Sequence, residues 1–282
     1  MPNNSMQWSS ATPGLLVIMI DQSGTMTLPF DGGDSRSQFA TKAVNRVIDT
    51  LIQKNFNGKA PKDRCYVSII GYGCEAQIYV SGYLSQLKAN PLRVLDVNKL
   101  VPNGDGGLTQ INTKMPVWID PIPDSCRETT DMMGAFRLAQ KEIEKWTNKH
   151  PNNPSPIIIN ISDGLPYDGE DEVRCMQETT EIVNELKKIR TEDGYVQIFN
   201  AMIGDGAKAI FPTSSDQLNT PESKFLYEIS TEIPDSFNVA AKKNQLSYDK
   251  GARGAIYNAD AEYLVKLINF GSSLGLIGGD NE

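Results

Sequence analysis

Apolar residues follow two rhythms along this chain. The first is the unbroken run: positions 15–20 read Leu15-Leu16-Val17-Ile18-Met19-Ile20, and positions 156–161 carry Ile157-Ile158-Ile159-Asn160-Ile161. Runs of this length, without alternation, predict strands buried on both faces, as in a parallel sheet covered by helices. Residues 64–71 predict another strand, with 77–80 as a short hairpin partner, and 195–203 and 254–257 two more. The second rhythm is helical. Phe39, Ala43, Val47 and Leu51 share one face, as do Met132, Phe136, Ala139, Ile143 and Trp146. Helices are further expected at 171–190 and 222–230. A last one follows Asp260 as N-cap, with Tyr263, Leu264, Leu267, Ile268 and Leu274 on its apolar face. Strands and helices that alternate in this way define an α/β fold. It is a doubly wound, mostly parallel sheet with helices on both faces and one antiparallel edge strand.

The 282 residues fit one domain over 14–275, between a polar N-terminal tail (1–13) and a C-terminal tail (276–282). The segment at about 82–128, rich in Pro, Gly, Asn and Asp, has no strong period and reads as a long insertion with a short helix or hairpin. A net charge of −8 argues against a general binder of nucleic acid or anionic membranes. Neither a basic-then-apolar leader nor a membrane-length apolar run is present, so the expected location is the cytoplasm. Cys65, Cys74, Cys126 and Cys175 show no metal-binding spacing and are expected as reduced, buried thiols. His150, the single histidine, lies in a polar loop and is expected to be solvated, which leaves histidine catalysis without a candidate.

In a sheet of this kind ligands bind beyond the carboxyl ends of the strands. The first strand ends in Asp21-Gln22-Ser23-Gly24-Thr25, one carboxylate followed by two hydroxyls at alternate positions. Thr129-Thr130 opens a helix after the long insertion, and Asp163 directly follows a central strand. Two carboxylates roughly neutralise a divalent ion, and hydroxyls complete its shell without adding charge. The ion expected is Mg²⁺, with Mn²⁺ or Ca²⁺ as alternatives. The metal ligands expected are Asp21, Ser23, Thr25, Thr130 and Asp163. Gly104-Asp105-Gly106-Gly107 lacks the lysine of a phosphate loop and reads as a turn. Glu170-Asp171-Glu172 reads as the acidic first turn of a helix, and Met132 and Met133 as core. Phe30 suits either a partner contact or packing against its own domain.

Asp21-Gln22-Ser23-Gly24-Thr25 resembles the Asp-x-Ser-x-Ser signature of the von Willebrand factor A (VWA) family. Thr130, Met132 and Ala135 match the family's Gly-Gly-Thr-x-Met-x-x-Ala-Leu pattern, and Ser162-Asp163-Gly164 its Thr-Asp-Gly motif. Thr25 stands where the pattern has Ser, and Glu128-Thr129 where it has Gly-Gly. The resemblance implies a metal-ion-dependent adhesion site (MIDAS) and no catalysis: the bound ion is one ligand short, and an Asp or Glu of a protein partner fills the gap. It further implies a stand-alone bacterial adaptor. Its partner classes are kinase–phosphatase pairs of tellurite-resistance-type gene clusters, or MoxR-type AAA ATPases, and neither nucleic acid nor membrane. The competing reading is a Mg²⁺-dependent phosphohydrolase of haloacid-dehalogenase type with Asp21 as nucleophile. That chemistry needs a second acid two residues further on, where this chain has Ser23.

Overall fold

The computed structural model of the chain describes residues 4–30, 33–56, 58–103, 107–121 and 128–273. In chain order the elements are β1 (Gly14–Asp21), α1 (Arg36–Lys54), β2 (Cys65–Tyr72), β3 (Ala76–Tyr83), α2 (Leu84–Ala89), β4 (Arg93–Pro102) and β5 (Leu108–Val117). There follow α3 (Met132–Lys149), β6 (Ile157–Ser162), α4 (Glu172–Leu186), β7 (Gln197–Met202), β8 (Ala209–Ile210), α5 (Pro221–Ile229), α6 (Asn238–Lys243), β9 (Ala255–Tyr257) and α7 (Ala261–Ser273). Seven strands form one sheet in the order β3-β2-β1-β6-β7-β9-β8. The five central strands run parallel; β3 pairs antiparallel with β2 at one edge, as the sequence predicts. The opposite edge closes with β8, a two-residue antiparallel strand that no sequence period announces.

The unbroken apolar run of β1 is explained by what covers it. Leu16, Ile18 and Ile20 pack in a core shared with α1 and α7, while Leu15, Val17 and Met19 face a second core under α3, α4 and α5. Side chains alternate across a strand, so both alternate sets must be apolar when both faces are covered. Helix α1 begins with a capping box, in which the Ser35 hydroxyl accepts from the Gln38 amide and the Gln38 side chain accepts from the Ser35 amide. Asp260 caps the last helix as expected, accepting from the Tyr263 amide at 3.0 Å. Leu274, assigned to the face of that helix, lies outside the described residues, as do positions 104–106 of the glycine-rich turn.

The segment at 82–128 contains both a short helix and a hairpin. Strands β4 and β5 pair with each other alone, and several of their apolar side chains are exposed, among them Val94, Leu108 and Ile111. The hairpin is fastened at its base by Asn45 of α1, whose amide oxygen accepts from the Trp118 and Ile119 amides and whose Nδ2 donates to the Ile119 carbonyl. Residues 4–13 are likewise tied to the body. The Asp193 carboxylate accepts from the Ser5 and Met6 amides, and Trp8 is buried.

Two expectations change here. His150 is half-buried rather than solvated, stacked 4.4 Å from the Trp146 ring, because the end of α3 turns its side chain back onto the helix. Cys74 is disulfide-bonded, whereas Cys65 and Cys175 are free and buried; Cys126 lies outside the described residues. Spacing along the chain does not reveal that pairing, since it depends on which loops the fold brings together.

Candidate functional site

The register of the sheet assembles the site. Ile20 of β1 sits opposite Ile161 of β6, so the next residues, Asp21 and Ser162, leave the same edge side by side. The Ser162 hydroxyl donates to Asp21 Oδ2 at 2.7 Å, and the Ser23 amide donates to Oδ1 at 2.8 Å. A 3-10 turn over Gly24–Thr27 follows, held by the Thr27 hydroxyl on the Gly24 carbonyl and anchored by the fully buried Met26. It folds Thr25 back, so its hydroxyl lies 3.2 Å from Ser23 Oγ and donates to Asp163 Oδ1 at 2.9 Å. Four of the five expected ligands therefore form one continuous hydrogen-bonded chain.

Thr130 comes from the third loop. Its backbone pairs with that of Tyr167, and the next residue, Asp131, donates its amide to the Gly73 carbonyl while its carboxylate caps α3. Thr130 lines the same cavity, about 300 Å³, as Ser23, Thr25 and Asp163. Among the described residues its hydroxyl makes no hydrogen bond to the other four. Thr129 also lines the cavity, but its hydroxyl is turned to the Gly73 carbonyl at 3.4 Å. Glu128, Glu172 and Glu222 stand around the mouth. Glu172 lies in the first turn of α4, as the acidic run predicts, and Asp171 is that helix's N-cap. Phe30 packs edge-on against Phe39 and belongs to the core rather than to the rim.

The electrostatics of the cluster are strained in one direction. Asp21 is fully buried, and burial together with the nearby Asp163 carboxylate pushes its pKa up to about 7 against the pull of its Ser162 and Ser23 hydrogen bonds. Burial, and then Asp21, also push the Tyr72 phenol well above its ordinary range. Two acids at one buried point ask for a cation. Among the described residues the cation paired with them is Arg36, whose Nη1 lies 2.7 Å from Asp163 Oδ2. The donor set suits a hard divalent ion: oxygen atoms only, two of them carboxylates, and a buried anion destabilised by the lack of a full counter-charge. Among the described residues no three of His, Cys, Asp and Glu gather as ligands for one ion, so any ion here depends on the hydroxyls.

Beneath the site runs a polar line that the sequence reading did not assign. The Tyr72 hydroxyl donates to Asn160 Oδ1, Asn160 Nδ2 donates to Asn200 Oδ1, and Asn200 Nδ2 donates to the Ser230 hydroxyl. All four residues are buried. For Asn160 and Asn200 the clue was one polar residue interrupting an apolar strand. Ser162 and Arg36 were also missed as site residues: Ser162 ends a strand, and Arg36 is a lone cation within a Gly/Asp/Ser loop.

No family model matches the sequence. No curated protein matches it either. Among solved structures, the chain is similar to a von Willebrand factor type A protein from Catenulispora acidiphila (14% identity, 93% of this chain and 43% of that one, TM-score 0.46). It is also similar to the conserved hypothetical protein BatB from Bacteroides thetaiotaomicron (14% identity, 90% and 96%, TM-score 0.44). A third is proximal thread matrix protein 1 from the mussel byssus, in a structure with a zinc-occupied MIDAS motif (13% identity, 93% and 48%, TM-score 0.42). This chain spans less than half the length of the first and third.

Proposed function

We propose that the chain is a VWA-type binding module that holds a divalent cation at Asp21, Ser23, Thr25, Thr130 and Asp163 and docks a carboxylate of a protein partner on it. One observation carries the reading: side chains from two remote loops, Asp21-Ser23-Thr25 and Asp163, meet in a single hydrogen-bonded cluster, and a third loop brings Thr130 to its cavity. An ion held by only two charged ligands stays electrophilic, so an outside carboxylate gains a strong, short interaction. Mg²⁺ is the first ion to test, with Mn²⁺ and Ca²⁺ beside it. The glutamates at the mouth favour capture of cations. They disfavour a broadly acidic partner, so the docking Asp or Glu belongs on a neutral or basic surface.

The reading is non-catalytic. The position where a haloacid-dehalogenase-type enzyme needs its proton-transferring acid is Ser23, engaged with Thr25. A phosphatase screen with Mg²⁺ checks this directly, and turnover abolished by Asp21→Asn would support the enzyme instead. Among the described residues no helix is long and apolar enough to cross a membrane. The disulfide-bonded Cys74 supports an oxidising compartment rather than the cytoplasm expected from the sequence. In a reducing cytoplasm the partners to try are the kinase–phosphatase pairs and MoxR-type ATPases that the resemblance implies; in an oxidising compartment, other surface proteins. Calorimetry with Mg²⁺ and Mn²⁺ tests the site: binding is expected in the parent protein and lost in both Asp21→Ala and Asp163→Ala. Unchanged binding in both variants overturns the assignment. A pull-down in Mg²⁺ against chelator then identifies which proteins leave with the ion.

A further inference from the structure

We infer that Arg36 is the site's own counter-cation, so that a divalent ion binds by displacing its guanidinium from Asp163 and the arginine shifts its weight to Asp205. The inference rests on the cation-binding reading above.

Each oxygen of Asp163 already has a partner. Its Oδ2 is 2.7 Å from Arg36 Nη1, and its Oδ1 accepts the Thr25 hydroxyl at 2.9 Å. The Asp163 side chain is 1% exposed and that of Arg36 only 16%, so water screens this pair poorly. An ion that takes Asp163 Oδ2 competes with the guanidinium for the same oxygen.

The placement of Arg36 has no helical rationale. It is the first residue of α1, directly after the Ser35 cap. The N-terminal end of a helix carries partial positive charge, and a cation there is unfavourable. What compensates is the carboxylate of Asp163, held on a different loop 127 residues away in sequence. Among the described residues the guanidinium is also not locked into a full network, since its buried Nε has no hydrogen-bond partner there. A group that was purely structural would be expected to use its five donors more completely.

A second carboxylate stands within reach. Arg36 Nη2 is 3.6 Å from Asp205 Oδ2, on the loop after β7, and the Asp205 side chain is 87% exposed. Asp205 lies outside the ligand set, so it can hold the arginine while Asp163 holds the ion. The two carboxylates and the two cations then form an exchange: arginine on Asp163 without the ion, arginine on Asp205 with it. After the exchange the ion faces the two buried acids and the guanidinium faces Asp205.

The test is calorimetry of Mg²⁺ and Mn²⁺ binding to the full chain, in the parent protein, Arg36→Gln, Asp205→Asn and the double variant. Removing the competitor is expected to tighten ion binding on the order of tenfold. Asp205→Asn is expected to weaken binding when Arg36 is present and to have no effect in the Arg36→Gln background. That dependence separates exchange from a simple loss of negative charge, which would act equally in both backgrounds. A measurement on the unmutated protein needs no variant to fold: the Arg36 Nε resonance, assigned by its absence in Arg36→Gln, should move on adding Mg²⁺. Equal affinity in the parent and Arg36→Gln proteins, or an unmoved Arg36 signal at saturating Mg²⁺, overturns the exchange and leaves the ion site standing. Failure of both proteins to bind either ion overturns the cation-binding reading and the exchange with it.

Discussion

Replacing Asp21 with asparagine should make the ion-free protein more stable at alkaline pH, although it removes the first residue of the site. Asp21 is fully buried next to a second carboxylate, and its pKa rises from 3.8 to about 7 on folding. The unfolded chain releases that proton near 3.8 and the folded protein only near 7. Between these values the folded state binds more protons, so this group's contribution to stability falls as pH rises through the window. The penalty is absent below the lower value and complete above the upper one. At about 1.4 kcal/mol per pKa unit, the full penalty is about 4 kcal/mol.

Asparagine keeps the shape and much of the hydrogen bonding: its carbonyl can accept the Ser23 amide, and its NH2 can donate to Ser162 Oγ. It carries no charge to bury. The expected gain is about 2–4 kcal/mol at pH 8 in chelator, which for a chain of this size raises the melting temperature by roughly 3–7 °C. At pH 4 the two proteins should be nearly equal. Urea unfolding of both proteins across pH 4 to 8 in chelator measures the difference, which reports Asp21 together with its interaction with Asp163. Adding Mg²⁺ at pH 8 should then stabilise the parent and leave Asp21→Asn unmoved, because only the parent gains ligand-linked stability. The reasoning is refuted if Asp21→Asn is the less stable protein at pH 8 in chelator, or if the difference does not grow with pH.

Asp163→Asn should abolish ion binding and, unlike Asp21→Asn, destabilise the ion-free fold by about 2 kcal/mol, because it strands the largely buried Arg36 guanidinium; urea unfolding in chelator reads the opposite signs. Asn160→Ala should cost about 2–4 kcal/mol, since it leaves the Tyr72 hydroxyl and Asn200 Oδ1 without their buried partner; the loss appears in the unfolding midpoint with ion binding retained. Reducing the Cys74 disulfide should lower stability by about 2–4 kcal/mol, seen as a lower melting temperature in reductant. Native Cys65 should resist thiol reagents, since burial both hides its thiol and pushes its pKa up; alkylation followed by mass mapping checks it.

The parts of the molecule that were legible in the sequence are those with one physical cause acting locally. Residues 15–20 could only be a strand covered on both faces, and the helical stripes of α1 and α3 name their own buried sides. The antiparallel partner β3 follows from a short polar–apolar segment one turn after β2. What escaped has its cause elsewhere in the chain. Strand β8 exists because β9 offers it an edge. Cys74 is oxidised because of where its loop is held. His150 is drawn from solvent by a tryptophan one helical turn before it. Asn160 and Asn200 interrupt apolar strands, and only the β6–β7 register turns the two interruptions into one line of hydrogen bonds.

The candidate site divides along the same boundary. Its ligands could be listed because each hydroxyl or carboxylate directly follows a recognisable strand or precedes a recognisable helix, and a parallel sheet brings such positions to one rim. Its charge state could not be listed. Two carboxylates count the same on paper whether they face water, each other or an arginine, yet here Asp21 meets Asp163 across a buried contact and Asp163 meets Arg36. Those neighbours decide how tightly an ion can bind, because the ion must match the destabilisation of Asp21 and exceed the grip of Arg36 on Asp163. The same five ligands on the same fold, with a neutral residue in place of Arg36, would make a tighter trap for the ion and a poorer device for releasing it. On the proposed reading, a single residue at the start of α1, outside the motifs that point to the site, would weaken the hold on the metal.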